Sequence, residues 1–307
     1  MLLILVSALA ELTLRAGTSQ ETYPTFRADV TVVRVDAQVV EGNRIVTGLD
    51  RRDFAVWDEG RKQSVEYFGR DSEPVDLLLL LDVSGSMRRY LEQMAAVARN
   101  ALAQLKPGDR VAVMLFSRRT QVREGFTENY GEVAREIKDA VREKGLGAGT
   151  AINESVIAAA GYVRTQPVKG RRAIVILTDN QGLNYRLPDE EVLKALFAAD
   201  CVLNAIVVGS GERPPPRRPG LELNPDFTPP DVFKLAEETG GEAVKADRAD
   251  KSFQEMVERL RTRYSLHYRA PDAPAGSYRS IRVDLSPQAR QRHRRAEVRA
   301  RKGYHVR

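Results

Sequence analysis

Cysteine is almost absent from this chain, because Cys201 is the only one among its 307 residues. A framework of intramolecular disulfides is therefore impossible, which excludes the small secreted folds that depend on one. Cys201 opens an apolar run that ends at Val208, and we interpret it as a buried strand residue. Export is not excluded, since a chain of this length can bury a stable core without bridges.

Histidine is also scarce, and the three histidines, His267, His293 and His305, all lie near the C-terminus. A serine nucleophile needs a base within hydrogen-bond reach, and no histidine falls on the loops that carry the candidate site described below. No phosphate-binding loop is present, and Gly209-Ser210-Gly211 is too weak a match for a dinucleotide fingerprint. The sequence therefore argues against catalysis.

Apolar runs long enough to span a membrane are lacking. The apolar stretch Leu2–Ala10 falls well short of the roughly 20 residues that a spanning helix needs. Ala8-Leu9-Ala10 has the small-x-small form of a signal-peptidase site, although no Lys or Arg precedes the stretch. We interpret residues 1–20 as a signal peptide or N-terminal segment, with a misplaced start codon or a buried strand as alternatives. The protein is then expected to be exported, either free or retained by an uncleaved N-terminal segment.

Charge is unevenly distributed. The net charge is +6, and much of the excess lies after Arg261. A basic surface can attract nucleic acid or anionic lipid. A solvated, arginine-rich edge is favoured here because the chain contains no nucleic-acid-binding motif, so no nucleic-acid partner is predicted.

Hydrophobic patterning divides the chain into three parts. Residues 26–72 carry short β-branched runs between turn signals, which predicts a small all-β unit. In residues 73–263 apolar runs alternate with amphipathic helices, the pattern of an α/β domain with a parallel sheet. The strand pattern returns over 264–307. Neither β segment has enough strands to be stable alone, so we expect the two to pair around an inserted α/β domain.

The predicted fold class is therefore α/β, with a doubly wound, mostly parallel sheet. The N- and C-terminal strands that flank it are expected to form one small β-sandwich. Residues 117–129 and 286–295 receive no regular element. The proline-rich segment 211–230 is interpreted as a surface insertion rather than as a recognition motif. Trp57, the only tryptophan, is interpreted as a core aromatic of the N-terminal β-unit.

The most informative motif is Asp82-Val83-Ser84-Gly85-Ser86, which directly follows the apolar run Leu77–Leu81. That run predicts a strand buried on both faces, and open parallel sheets bind ligands beyond the carboxyl ends of their strands. The i, i+2, i+4 spacing lets one turn aim three oxygens at one point. A carboxylate with two hydroxyls suits Mg²⁺, Mn²⁺ or Ca²⁺ and is poor for zinc or copper.

Two other loops offer oxygens at the ends of sheet elements. Thr150 follows Gly147-Ala148-Gly149 and opens a predicted helix, while Asp179 follows the predicted strand Ala173–Leu177. Asp82 or Ser86 can also cap the helix that follows, but capping accounts for one residue and not for three loops. The predicted metal ligands are Asp82, Ser84, Ser86, Thr150 and Asp179.

These loops resemble the metal-ion-dependent adhesion site (MIDAS) of von Willebrand factor A (VWA) domains, over about Val75–Arg263. The residues that carry the resemblance are Asp82-Val-Ser-Gly-Ser-Met87, Gly149-Thr150 and Leu177-Thr178-Asp179. The flanks resemble a bacterial group of VWA-related proteins, through Leu49-Asp50-Arg51-Arg52-Asp53-Phe54, Asp58-Glu59-Gly60, Tyr264–Tyr268 and Arg299–Tyr304.

The resemblance implies a role for each ligand. Ser84 and Ser86 would contact the metal directly, and Thr150 would do so directly or through water. Asp82 and Asp179 would act largely through water. Asn180-Gln181 departs from the family pattern, in which a glycine commonly follows the aspartate, so we expect the rim of the site to differ.

The resemblance further implies a non-enzymatic, metal-dependent protein-binding or adhesion module. An Asp or Glu of a protein partner would complete the metal's shell, and no small-molecule substrate is expected. One alternative is a structural or assembly protein whose metal mainly stabilises the fold. A less favoured alternative is a Mg²⁺-dependent hydrolase, because the motif superficially resembles the loop of aspartate-nucleophile phosphatases. Ser84, however, stands where those enzymes have an acid–base aspartate.

Overall fold

The computed structural model describes residues 32–69, 73–182, 187–215 and 229–306. The signal or N-terminal segment expected at residues 1–20 lies outside these ranges, as does most of the proline-rich insertion. Among the residues described, no helix combines the length and the apolar composition that crossing a membrane requires.

The strands and helices follow one another in the order expected for an α/β domain set between β segments. The strands are β1 Val32–Glu41, β2 Arg44–Ile45, β3 Phe54–Asp58, β4 Arg61–Gln63, β5 Tyr67–Gly69, β6 Val75–Asp82, β7 Arg110–Phe116, β8 Thr120–Thr127, β9 Arg171–Thr178, β10 Cys201–Val208, β11 Ala243–Ala246, β12 Tyr264–Arg269, β13 Tyr278–Leu285, β14 Glu297–Ala300 and β15 Gly303–His305. The helices are α1 Arg88–Leu102, α2 Tyr130–Ala140, α3 Ile152–Thr165, α4 Asp189–Ala198, α5 Val232–Thr239, α6 Ala249–Arg261 and α7 Pro287–Arg292.

A six-stranded sheet with the order β11-β10-β9-β6-β7-β8 forms the centre. Its strands run parallel except for β8, which pairs antiparallel with β7. Successive residues of a strand point to opposite faces. Leu77, Leu79 and Leu81 of β6 therefore join the core beneath α1, α2 and α6, whereas Leu78 and Leu80 join the core beneath α3, α4 and α5. The predicted doubly wound α/β fold class is confirmed.

Two antiparallel sheets contain strands from both ends of the chain. One has the order β14-β1-β12-β5, with β2 beside β1, and the other has the order β15-β13-β3-β4. In the first, β1 pairs with β12, and in the second, β3 pairs with β13. Their inner faces share one apolar core, to which Val35 and Leu266 contribute from one sheet and Val56 and Ile281 from the other. We call this pair of sheets the sandwich.

The sandwich contacts the α/β part at the amino ends of the parallel strands. Arg34 of β1 donates to the Gly170 carbonyl just before β9 at 3.2 Å. Arg301 pairs with Asp200, just before β10, at 2.6 Å. Arg299 of β14 pairs with Glu242, just before β11, at 2.6 Å. Since the strands are parallel, these three contacts lie along one edge of the sheet, and the carboxyl ends form the opposite edge.

Two regular elements occur where the sequence predicted none. β8 escapes a pattern search because its residues are mostly half-exposed and largely polar. α7 spans only 6 residues, too few to show helical periodicity. Its start nevertheless follows known helix signals, because Pro287 occupies the first turn and the Ser286 hydroxyl accepts a hydrogen bond from the Ala289 amide.

Trp57 is not a core residue, and its interpretation as one was wrong. Its neighbours Val56 and Asp58 on β3 are fully buried on the inner face of the sandwich. Trp57 therefore points to the outer face, where it is partly exposed. A single tryptophan in a strand of mixed pattern does not reveal which face is the inner one.

Candidate functional site

Asp82 ends β6 at the centre of the sheet, and its side chain is fully buried. Two neutral donors hold its carboxylate. The Ser84 amide donates to Oδ1 at 2.9 Å, and the Thr178 hydroxyl donates to Oδ2 at 2.8 Å. These bonds tie the end of β6 to the end of β9 and fix the orientation of the carboxylate.

Burial makes this carboxylate electrostatically unusual. Loss of solvent raises the pKa of Asp82 from 3.8 to about 6, and the nearby Asp179 adds to the increase. The bonds from Ser84 and Thr178 oppose the shift but do not cancel it. Among the described residues, the main causes of this shift include no Lys, Arg or His. The site therefore carries negative charge that neutral hydrogen bonds only partly stabilise.

The two serines of the motif lie in front of this carboxylate. A short 3₁₀ turn, Gly85–Met87, follows Ser84 and anchors itself through the buried Met87 side chain. The Ser84 and Ser86 hydroxyl oxygens are 3.4 Å apart. Ser86 is exposed and Ser84 partly so. Both hydroxyls are accordingly accessible to a solvent-borne ion.

Asp179 brings a second carboxylate to the same place. The Ser86 hydroxyl donates to Asp179 Oδ2 at 2.6 Å, and the Gln181 amide donates to Oδ1 at 3.1 Å. The turn requires a left-handed residue, and Asn180 adopts φ of +53°, a conformation that asparagine tolerates better than most residues. The Asn180 side chain donates to the Glu212 carbonyl at 3.0 Å, which links this turn to the segment after β10.

The Thr150 loop reaches the site by a different route. The Ser117 hydroxyl, just past β7, lies 2.7 Å from the carbonyl oxygens of both Gly147 and Gly149, and its one proton is shared between them. At Gly182 the chain passes so close that a Cβ there would lie 2.7 Å from the Thr150 carbonyl oxygen. The Thr150 and Asp179 loops are therefore neighbours, although within the described ranges the Thr150 hydroxyl forms no hydrogen bond with the other four residues.

The structure thus brings Asp82, Ser84, Ser86 and Asp179 into one hydrogen-bonded cluster, with the Thr150 loop alongside. Sequence reasoning missed the residues that hold these loops in place, namely Thr178, Ser117 and Gly182. Thr178 was visible as the residue before Asp179, but only the pairing of β6 with β9 shows that its hydroxyl reaches Asp82.

Carboxylate and hydroxyl oxygens dominate the chemistry available here. Over the described residues, no group of three or more His, Cys, Asp or Glu side chains is placed to hold a metal ion. The possible ligands are instead two carboxylates and serine hydroxyls. This is a hard-oxygen set, and a divalent cation bound to it would offset the unfavourable charge on Asp82. The residues present therefore fit a hard divalent cation.

A large cavity lies elsewhere. A space of about 700 Å³ separates β11 and α6 from β14. At this cavity Glu242 accepts from Arg259 at 3.0 Å as well as from Arg299. These ion pairs join the sandwich to the α/β part, so the cavity belongs to the junction and not to the cluster around Asp82.

Comparison with known proteins finds a family similar to the region that contains this cluster. Residues 77–181 match the family described as von Willebrand factor type A domain. No curated protein matches the chain.

Several solved structures resemble it at low identity. A von Willebrand factor type A protein from Catenulispora acidiphila is 15% identical, with a TM-score of 0.46, over 85% of this chain and 71% of that one. An aerotolerance-related membrane protein from Bacteroides fragilis is 19% identical, with a TM-score of 0.46, over 61% and 98%. Proximal thread matrix protein 1 from the mussel byssus, with a zinc-occupied MIDAS motif, is 17% identical, with a TM-score of 0.48, over 67% and 50%. At such identities the roles of those proteins do not carry over to this chain.

Proposed function

We propose that this protein is a non-enzymatic, divalent-cation-dependent protein-binding module. Asp82, Ser84, Ser86, Thr150 and Asp179 would hold the cation, and an Asp or Glu of a protein partner would bind at its open side. One observation carries the proposal. Two accessible serine hydroxyls, 3.4 Å apart, stand in front of two carboxylates for which the described residues supply no Lys, Arg or His as an ion-pair partner.

The division of labour among these residues follows from their burial. The Ser84 amide and the Thr178 hydroxyl fix the orientation of the Asp82 carboxylate. Asp82 would therefore supply negative charge to the site without moving. Asp179 accepts from Ser86 and would orient that hydroxyl toward the cation. Thr150 would contribute from the neighbouring loop.

The bound ion, Mg²⁺ or alternatively Mn²⁺ or Ca²⁺, would present an electron-poor position to an anionic partner group. Because hydroxyls are neutral ligands and the carboxylates are shared with other donors, much of the ion's positive charge would remain available to that group. Affinity for a partner would therefore depend on the cation and on the partner's carboxylate.

Catalysis is less well supported. The Ser86 hydroxyl donates to Asp179, and a carboxylate is a much weaker base at neutral pH than the histidine that usually activates serine. A Mg²⁺-dependent hydrolase remains the enzymatic alternative. A cation that only stabilises the fold is the non-enzymatic one. We also propose that the protein acts after export, as the apolar stretch at its N-terminus suggests.

Calorimetric titration of Mn²⁺ and Mg²⁺ tests the site directly. The wild type should show saturable binding that Asp82→Ala abolishes. Asp139→Ala is the matched control, because Asp139 is an exposed carboxylate at the end of α2. Equal binding by wild type and Asp82→Ala would rule out this site, and no binding by the wild type would rule out the cation.

A second measurement separates a binding site from a structural metal. Immobilised glutamate-containing peptides, and their glutamine counterparts, are probed with Mn²⁺ or with a chelator. We expect Mn²⁺-dependent retention by the glutamate peptides alone, lost in Ser86→Ala and kept in the exposed control Ser64→Ala. If Ser86→Ala or the chelator instead lowers the thermal midpoint strongly, the metal is structural.

A further inference from the structure

The outer face of the four-stranded sheet carries a basic and aromatic ladder. Trp57 on β3 lies opposite Lys62 of β4 on one side and opposite Arg282 of β13 on the other. Residues opposite one another in a sheet point to the same face. The inner partners on these strands, such as Val56, belong to the sandwich core, so all three side chains point outward. We call Lys62, Trp57 and Arg282 the basic ladder.

In the described part of the chain, the cations of the ladder meet no carboxylate that neutralises them. The Arg282 guanidinium lies over the Trp57 ring, 3.9 Å from its centroid. Lys62 and Arg282 are both exposed. Among the residues that the structure describes, neither forms an ion pair.

More cations lie at one end of the same sheet. Arg51 and Arg52 precede β3, and Arg294 and Arg295 follow α7. The two segments are neighbours, because Arg292 at the end of α7 pairs with Asp53 just before β3. These four arginines are exposed and, across the described parts of the chain, also lack ion-pair partners. This part of the sheet therefore carries several cations without an ion-pair partner among the described residues, next to the pair Arg290–Asp284 on the same face.

We propose that this sheet face docks on an anionic lipid surface. Clustered Lys and Arg side chains are attracted by the negative surface potential of such membranes. Tryptophan side chains favour the boundary between the head groups and the acyl chains. A pleated sheet offers a broad face to a broad surface. The site is independent of the proposed cation-dependent function, since the sandwich lies at the amino ends of the parallel strands and the Asp82 cluster lies at the carboxyl ends.

Other anionic partners fit the ladder less well. Single-stranded nucleic acid is held by bases that stack on open aromatic rings, whereas Arg282 already covers one face of the Trp57 indole. Many peptide-binding sites are grooves, and the cavities of about 700 Å³ and 270 Å³ are lined by residues other than the ladder.

The chain contains a single tryptophan, so indole fluorescence reports on the ladder alone. The full-length protein is mixed with vesicles of phosphatidylcholine, or of phosphatidylcholine and phosphatidylglycerol in equal parts. We expect a blue shift of the emission with the anionic vesicles only, weakening as ionic strength rises. Brominated acyl chains should quench the shifted emission, because the indole would lie at the head-group boundary.

Charge reversal at the ladder tests its role. Lys62→Glu/Arg282→Glu should weaken vesicle binding by more than about tenfold, measured by co-sedimentation. The matched control is Lys138→Glu/Arg142→Glu, which changes net charge equally at two exposed residues on or next to α2. Every variant keeps residues 1–31, so a difference between the two pairs belongs to the ladder. If the reversed ladder does not fold, as judged by circular dichroism, Lys62→Gln/Arg282→Gln provides a milder version with the same expected direction.

Three results would overturn the proposal. The first is equal loss of binding in the ladder and α2 pairs, which would reduce the effect to net charge. The second is vesicle binding without a Trp57 shift or bromine quenching, which would assign the contact to another part of the chain. The third is binding to heparin or DNA without binding to anionic vesicles, which would identify a soluble polyanion as the partner.

Discussion

The strand β6 carries an aspartate near each end, and the two aspartates have different hydrogen-bond partners. Asp76, near the amino end, is almost fully buried and forms two bonds with the Arg110 guanidinium, at 2.8 and 2.7 Å. Asp82, at the carboxyl end, is equally buried, but within the described ranges its carboxylate accepts hydrogen bonds from the Ser84 amide and the Thr178 hydroxyl alone. The same residue type on one strand is thus neutralised at one end and left charged at the other.

The difference extends along both edges of the central sheet. At the amino edge, buried or partly buried arginines meet carboxylates and carbonyls, as in the pair Arg301–Asp200 and the bond from Arg171 to the Arg263 carbonyl at 3.0 Å. At the carboxyl edge, small neutral hydroxyls stand beside Asp82 and Asp179. An ion pair formed within the protein contributes to its structure. A buried carboxylate that has no such partner is suited to bind a cation from solution.

The largest effect on stability should come from removing the ion pair between Asp76 and Arg110. Asp76→Ala leaves the Arg110 side chain mostly buried and facing the Pro167 carbonyl as its remaining acceptor. We expect the free energy of unfolding in urea to fall by about 3–5 kcal/mol, because one partner of a buried ion pair has been removed. Mn²⁺ should raise the stability of this variant as much as that of the wild type, since the two ends are separate. A loss below about 1 kcal/mol would mean that Arg110 is not held as described.

A smaller effect is expected for Asp82, where removing the charge should raise the free energy of unfolding at neutral pH. In the folded protein the pKa of Asp82 is raised to about 6, so the protonated form is favoured there more than in the unfolded chain. The stability associated with this proton is complete below the unfolded pKa of 3.8 and is lost as pH rises through about 6. Asp82→Asn removes this pH-dependent loss of stability, because asparagine does not ionise.

The pH profile of metal-free protein measures that contribution. Relative to Asp82→Asn, the wild type should lose about 1–2 kcal/mol of unfolding free energy between about pH 5 and about pH 7.5. Saturating Mn²⁺ should restore the wild type at the higher pH and should leave the variant nearly unchanged. Parallel pH profiles for the two proteins would contradict the charge difference between the ends of β6.

The smallest effect concerns the spacing of the loops. Gly182→Ala places a Cβ 2.7 Å from the Thr150 carbonyl, so one of the two loops must shift. We expect a stability loss of about 1 kcal/mol, because a loop can shift more readily than a packed core, and a weaker Mn²⁺ affinity by calorimetry. Gly161→Ala is the control, because this residue in α3 has open space around it, and helix propensity should raise stability by about 0.5–1 kcal/mol. Unchanged Mn²⁺ affinity in Gly182→Ala would mean that the Thr150 loop does not take part.

Much of the architecture could be predicted because hydrophobic period reflects burial. The run Leu77–Leu81 predicts a strand covered on both faces, and the structure buries it completely. Elements without such a period could not be found. The strand β8 is half-exposed, and the helix α7 is too short to show a period. Trp57 lies on a strand whose sequence does not show which face points inward.

The candidate site was predictable to a similar extent. Asp82, Ser84 and Ser86 are three positions in one turn, so their proximity follows from spacing alone. Asp179 could be added because parallel strands end at a common edge, and the Ser86–Asp179 bond of 2.6 Å is in line with that reasoning. The roles of Thr178 and Ser117 depend on which strands are neighbours and on hydroxyl orientation, and local sequence encodes neither directly.

The sequence by itself determined the alternation of strands and helices, the motif at the end of β6 and the excess of arginine near the C-terminus. These are local or compositional properties, which periodicity and spacing express directly. Only the tertiary structure decided which carboxylates are neutralised, because charge pairing joins residues such as Asp76 and Arg110 that lie 34 positions apart. It also decided that Lys62, Trp57 and Arg282 share one face, since strand register sets that arrangement across distant segments.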